Sequence, residues 1–77
     1  MDKLFVAAIE DETIGIDYFK HIGVGKINAT YNTLKLINLH KPKIVINYGT
    51  AGTLNSRLNG LIECTKFYQR DMDVRGL

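Results

Sequence analysis

Cysteine is almost missing from this chain of 77 residues, and Cys64 stands alone. A single thiol excludes an internal disulfide framework and a cysteine-rich zinc site. Cys64 sits in an alternating pattern and reads as a small core residue rather than a nucleophile. No apolar run approaches the roughly 18 residues of a membrane-spanning helix, so no membrane partner is expected. No basic region followed by an apolar core opens the chain, so no secretory signal is read and cytoplasm is the expected compartment. Neither charge sign dominates: 10 Lys and Arg stand against 8 Asp and Glu, a net +2. Nucleic-acid binding needs a concentrated basic face, and none is expected here. His21 and His40 are far apart, with no third donor at ligand spacing, so no metal site is expected.

Size is the sharper limit. A chain this short buries only about 60–65% of the surface that its unfolded form exposes. An αβ pattern at this length yields few strands and two sheet faces to cover. The expectation is a fragment, or a chain that needs a partner surface.

Lys3-Leu4-Phe5-Val6-Ala7-Ala8-Ile9 is a short, nearly continuous apolar run that predicts a buried parallel strand. It ends at Glu10-Asp11-Glu12, which a central strand would not hide. Thr13 to Ile22 fits either a short helix or a second strand. Gly23-Val24-Gly25-Lys26 predicts a turn entering a helix. Ile27, Thr30, Leu34 and Ile37, with Tyr31 beside them, recur at helical spacing, and Leu36 and Leu39 widen the stripe. The predicted helix runs from about Lys26 to His40 and stops before Pro42, the one proline. His40 and Lys41 lie where a helix C-terminus favours positive charge. Lys43-Ile44-Val45-Ile46-Asn47-Tyr48 is a dense β-branched strand, completing a strand–helix–strand unit. Asn55 to Asn59 reads as a turn. Leu61 to Tyr68 alternates well enough for a further strand. Arg70, Asp71, Asp73 and Arg75 read either as a solvated, mutually paired segment or as an ordered subunit contact.

Ligands of open α/β sheets sit beyond the carboxyl ends of the strands. Here one such end carries Glu10, Asp11 and Glu12, and another carries Gly49, Thr50, Ala51 and Gly52. Parallel neighbours would open both onto one crevice, with a carboxylate facing a glycine-rich loop that bears a hydroxyl. Backbone N–H groups of such a loop can approach an anion or a ribose. A carboxylate can orient and deprotonate water. A solvated strand edge and a simple tight turn explain the same residues. Gly23-Val24-Gly25 lacks the third glycine of a dinucleotide fingerprint, because that place holds Asn28. Gly25-Lys26 is followed by Ile27, which excludes a Walker A loop.

Four stretches carry a resemblance. They are Ala7-Ala8-Ile9-Glu10-Asp11-Glu12, Gly23 to Ala29, and Lys41 to Gly52, followed by Phe67 to Val74. In this order they resemble the purine nucleoside phosphorylase and nucleosidase superfamily, and above all the 5'-methylthioadenosine/S-adenosylhomocysteine nucleosidases. The resemblance implies the N-terminal part of a three-layer α/β/α fold with a mixed central sheet, spanning residues 1–77 as one partial domain. It implies hydrolysis of the N-glycosidic bond of an adenine nucleoside, without a cofactor, in a homo-oligomer that is a dimer in the full-length family. By position, Glu12 matches the carboxylate that activates water. Ala8 matches a residue lining that pocket, and Val24 an apolar residue near the ribose and its 5' substituent. Thr50 matches the hydroxyl residue near the water or phosphate, and Ala51 and Gly52 the backbone beside base and sugar.

The departures from the family carry expectations of their own. Thr13 to Ile22 is much shorter than the family's connection, so one or two strands are expected to be missing. The ribose-gripping carboxylate, the Asp that serves adenine protonation and the aromatic that stacks on the base have no counterparts here. The chain alone is therefore expected to be inactive. Two other readings stay open: a phosphate-dependent nucleoside phosphorylase, and a non-catalytic truncated remnant that folds only with a partner.

Overall fold

The computed structural model describes residues 1–69. The expectations for Arg70, Asp71, Asp73 and Arg75 lie outside these residues. The described elements are β1 (Lys3–Ala7), a 3-10 helix (Glu10–Thr13), β2 (Lys20–His21), α1 (Lys26–His40) and β3 (Ile44–Asn47). The sheet order is β2-β1-β3, and both pairings are parallel. In register, Lys3 lies against Ile44, Leu4 against Val45 and Phe5 against Ile46 on one side. Val6 meets Lys20, and Ala7 meets His21, on the other.

Alternation along β1 separates the two faces of the sheet. Leu4 and Val6 are buried and form the core with Ile22. Ala29, Leu36 and Ile37 of α1 pack against that core. Phe5 points to the opposite face, where it meets Tyr18 edge-on at 4.8 Å and Phe19 at 5.6 Å between ring centroids. Tyr18 stacks on Phe19 at 5.1 Å, and Tyr48 completes the cluster 5.7 Å from Phe19. Thus one face carries aliphatic side chains under a helix, and the other carries an aromatic patch that is partly open.

Thr13–Ile22 resolves into the end of the 3-10 helix, a turn and the two residues of β2. The glycine turn enters α1 as expected. Gly23 has φ +85°, and a Cβ there would lie 3.0 Å from that of Asn28. Both facts favour glycine. Asn32 donates to the Ile22 carbonyl at 2.9 Å and ties α1 to the end of β2. The helix closes with Lys41 in the left-handed region (φ 49°), its N–H donating to the Ile37 carbonyl.

Four expectations need correction. The inward stripe of α1 is Ala29, Asn32, Thr33, Leu36, Ile37 and His40, all half-buried, whereas Ile27, Tyr31 and Leu34 point outward. Ile27 is 85% and Leu34 55% exposed. Apolar residues ring most of this helix, so their spacing did not select a face; the entry turn and the Asn32 bond did. Leu61–Tyr68 forms no strand, because no neighbour supplies a ladder for its backbone. Cys64, on that segment, is exposed rather than part of a core. The sheet of the described residues is wholly parallel, with one helix on one face. This is an α/β arrangement consistent with part of a larger α/β/α fold, not a mixed sheet in three complete layers.

Candidate functional site

The carboxyl ends of all three strands lie on one edge of the sheet. Beyond β1 the chain turns into the 3-10 helix, which carries Glu10, Asp11 and Glu12 in its first turn. Beyond β2 lie Gly23 and Val24, and beyond β3 lie Gly49 to Gly52. The Ala8 carbonyl accepts from the Gly23 N–H at 3.0 Å, and Ala7 accepts from Ile22 at 2.9 Å. These bonds join the end of β1 to the loop that holds Val24. The Tyr48 N–H donates to the Val6 carbonyl at 3.0 Å and draws the glycine loop toward β1.

Glu12 closes this arrangement. Its Oε2 accepts from the Thr50 N–H at 2.9 Å and from the Thr50 hydroxyl at 3.2 Å. Its Oε1 accepts from the Ile9 N–H at 3.4 Å, a weak reciprocal cap of its own turn. Gly49 eases the approach, because a Cβ there would stand a tight 3.1 Å from Glu12 Oε2. The Thr50 N–H is the main cause holding the Glu12 carboxyl below the usual glutamate pKa. Partial burial opposes it, and the Thr50 hydroxyl and the Ile9 and Ala8 N–H groups add to the lowering. Glu12 is therefore ionised at neutral pH and acts only as an acceptor.

The structure brings four of the six sequence-predicted site residues to one strand-end edge: Ala8, Glu12, Val24 and Thr50. Ala51 and Gly52 continue the loop beyond Thr50 and are exposed, as is Val24. One contact escaped sequence reading. Thr13 is buried, and its hydroxyl lies 2.8 Å from His21 Nε2 and 3.3 Å from the Glu10 carbonyl. It pins the acidic turn to β2. Nothing in the spacing of Thr13 and His21 signals that pairing, which depends on β1 and β2 lying side by side.

The site is open to solvent. Two open grooves lie elsewhere in the described residues. One of about 640 Å³ is lined by Lys20, His21, Asn32, Lys35, Leu36 and neighbours, and one of about 330 Å³ flanks the 3-10 turn; neither includes Glu12 or Thr50. Among the described residues no group of His, Cys, Asp and Glu is arranged to hold a metal ion. No helix of the described residues is long and apolar enough to cross a membrane.

Fold and site together define a parallel α/β unit with a carboxylate held against a glycine–threonine loop at its strand ends. The chain is similar to a 5'-methylthioadenosine/S-adenosylhomocysteine nucleosidase of Staphylococcus aureus (strain bovine RF122 / ET3-1), with 40% identity over 57 residues. The alignment covers 74% of this chain and 24% of that relative. The same-named protein of S. aureus strain MRSA252 matches equally, and that of strain JH9 is 39% identical over 57 residues. The similarity links the chain to this nucleosidase family. The chain spans about a quarter of the length of the curated relatives it matches, 24% in each case. No protein-family model matches the chain. No solved structure matches it.

Proposed function

We propose that the chain carries the water-side half of an N-glycosidase site for adenine nucleosides of the 5'-methylthioadenosine and S-adenosylhomocysteine type. The observation that carries this reading is the Glu12 carboxylate held by both the N–H and the hydroxyl of Thr50. Glu12 orients the attacking water and takes its proton as the anomeric carbon develops positive charge. Its negative charge also favours that transition state. A carboxylate with a lowered pKa is a weak base in the resting site. It therefore works by position first, and the proton moves once the sugar cation has made the water acidic.

Thr50 holds the carboxylate and contacts the water. Ala8 and Val24 form the apolar side toward the ribose and its 5' substituent, and Ala51 and Gly52 pass beside base and sugar. Residues 1–77 act as one partial nucleosidase-like domain, in the cytoplasm, and the whole enzyme works as a homodimer. Hydrolysis is favoured over phosphorolysis, because an ionised Glu12 beside Thr50 repels an incoming phosphate. The chain alone is inactive on this reading, since the leaving-group acid that the resemblance implies has no matching residue in it.

Two measurements on the purified chain test the proposal. Titration with 5'-methylthioadenosine, followed by amide NMR, should shift Val24, Thr50 and Ala51 in a saturable way. No shift at these amides up to about 1 mM ligand would remove the binding half of the reading. Adenine release should stay at background. Turnover of about 1 per second or more would overturn the inactivity.

A further inference from the structure

Glu12 stands on a 3-10 helix of four residues, Glu10–Thr13, little more than one turn. Two bonds close this turn on its own start. The Glu12 N–H donates to the Ile9 carbonyl at 3.2 Å, and the Ile9 N–H donates to Glu12 Oε1 at 3.4 Å. Neither bond fixes the turn against a neighbouring strand. Thr13 does. It is the buried residue of the turn, 4% exposed, between a half-buried Glu12 and an exposed Ile14. Its hydroxyl lies 2.8 Å from His21 Nε2. His21 is itself fixed beside β1, in register with Ala7, and the next N–H, of Ile22, donates to the Ala7 carbonyl at 2.9 Å.

The bonding roles follow from counting protons. A threonine hydroxyl has one hydrogen to donate and lone pairs with which to accept. The Glu10 carbonyl, 3.3 Å from Thr13 Oγ1, can only accept. Both contacts are satisfied only when Thr13 donates to Glu10 and accepts from His21, with the ring proton on Nε2. The bonds then run from the ring on β2 through Thr13 to the first residue of the turn. A valine of the same shape would fill the space without giving it a direction. Glu12 and Thr13 are neighbours, about 3.8 Å apart at Cα, so a displaced Thr13 carries Glu12 with it.

We propose that Thr13 is a positioning residue for Glu12: anchored by His21, it sets the angle at which the acidic turn presents the carboxylate to Thr50. The contacts that depend on it are the 2.9 Å and 3.2 Å bonds from the Thr50 N–H and hydroxyl. An error of about 1 Å at a group that orients a reactant costs roughly 100-fold in rate. That consequence for hydrolysis rests on the nucleosidase reading of Glu12, whereas the positioning itself does not.

NMR on the whole chain tests the proposal without a nucleoside. At a pH where the ring is neutral, the His21 nitrogens of the native chain should show the proton on Nε2. Thr13→Val keeps the shape and deletes the hydroxyl. The Thr50 amide should then exchange about fivefold faster, the effect of one lost hydrogen bond. The Glu12 carboxyl should titrate closer to an ordinary glutamate, while the β1 amides keep their protection. Thr13→Ser returns the hydroxyl and should return both readouts to native values. His21→Ala should reproduce Thr13→Val, and the double variant should add nothing further. Should Thr13→Val fail to fold, His21→Ala, which leaves the buried site filled, decides by the same readouts. A neutral ring protonated at Nδ1, a Thr50 amide and Glu12 titration unmoved in these variants, or a serine variant that behaves like the valine one would overturn the proposal. Failure of the 5'-methylthioadenosine titration would sink the nucleosidase reading and leave these outcomes unchanged.

Discussion

Glu12 and Gly49 form a pair in which each explains the other. A Cβ at Gly49 would stand 3.1 Å from Oε2, tight enough that the carboxylate would have to shift by a few tenths of an ångström. Gly49→Ala should therefore push Glu12 off Thr50. A carbon-13 titration of the Glu12 carboxyl checks this: its pKa should return toward the ordinary glutamate value, and the Thr50 amide should exchange faster. The pH dependence of the native protein follows from the same bonds. The folded-state pKa of Glu12 lies below its unfolded value. Its contribution to stability is thus fully present above the unfolded pKa and is lost as the pH falls through the lowered folded one. The Thr50 amide resonance should move across that acidic window and stay constant above it.

At the scale of elements, α1 shows how a helix with two apolar faces is oriented by its attachments. Gly23 and Gly25, with φ of +85° and +92°, set the entry of the chain. Asn32 then holds the helix to Ile22. The consequence is testable by a pair of truncations. Ile37→Ala removes a side chain packed on Leu4, Val6 and Ile22. It should cost about 1–2 kcal/mol, below the value for a fully buried site, because Ile37 is half-buried. Leu34→Ala alters an outward residue and should stay within about 0.5 kcal/mol. Urea unfolding of the two variants checks the order. The reverse order would place Leu34 against the sheet. β1 owes its burial to its central place between two parallel strands, which a run of apolar residues suits.

At the scale of the whole molecule, the regular elements of the described residues lie within residues 3–47. Leu4, Val6, Ala7 and Ile22 are the buried apolar core, which is small for a folded domain. Hydrogen exchange should divide the chain accordingly. Amides of β1, of β3 facing β1, and of the middle of α1 should be protected, while those of 59–69, which no ladder holds, should exchange at nearly unfolded rates. Protection of 59–69 would mean that this segment pairs with a strand after all. The Glu12 site occupies the rim of this ordered part, open to solvent.

Sequence alone determined the elements with strong local causes. The apolar run before Glu10, the glycine turn, the helix from Lys26 to His40 and the β-branched strand before Gly49 each follow from propensity, capping or a proline stop. It also indicated that an acidic turn and a glycine–threonine loop meet at parallel strand ends, because parallel strands place their carboxyl ends on one side. Only the tertiary structure decided the rest. The face of α1 was ambiguous because apolar residues surround the helix. The Thr13–His21 contact needed β1 and β2 side by side. Leu61–Tyr68 has the composition of a strand but no ladder, since a strand exists only where a neighbour takes its hydrogen bonds. Local chemistry names the elements, and only the neighbours each one meets decide what it buries.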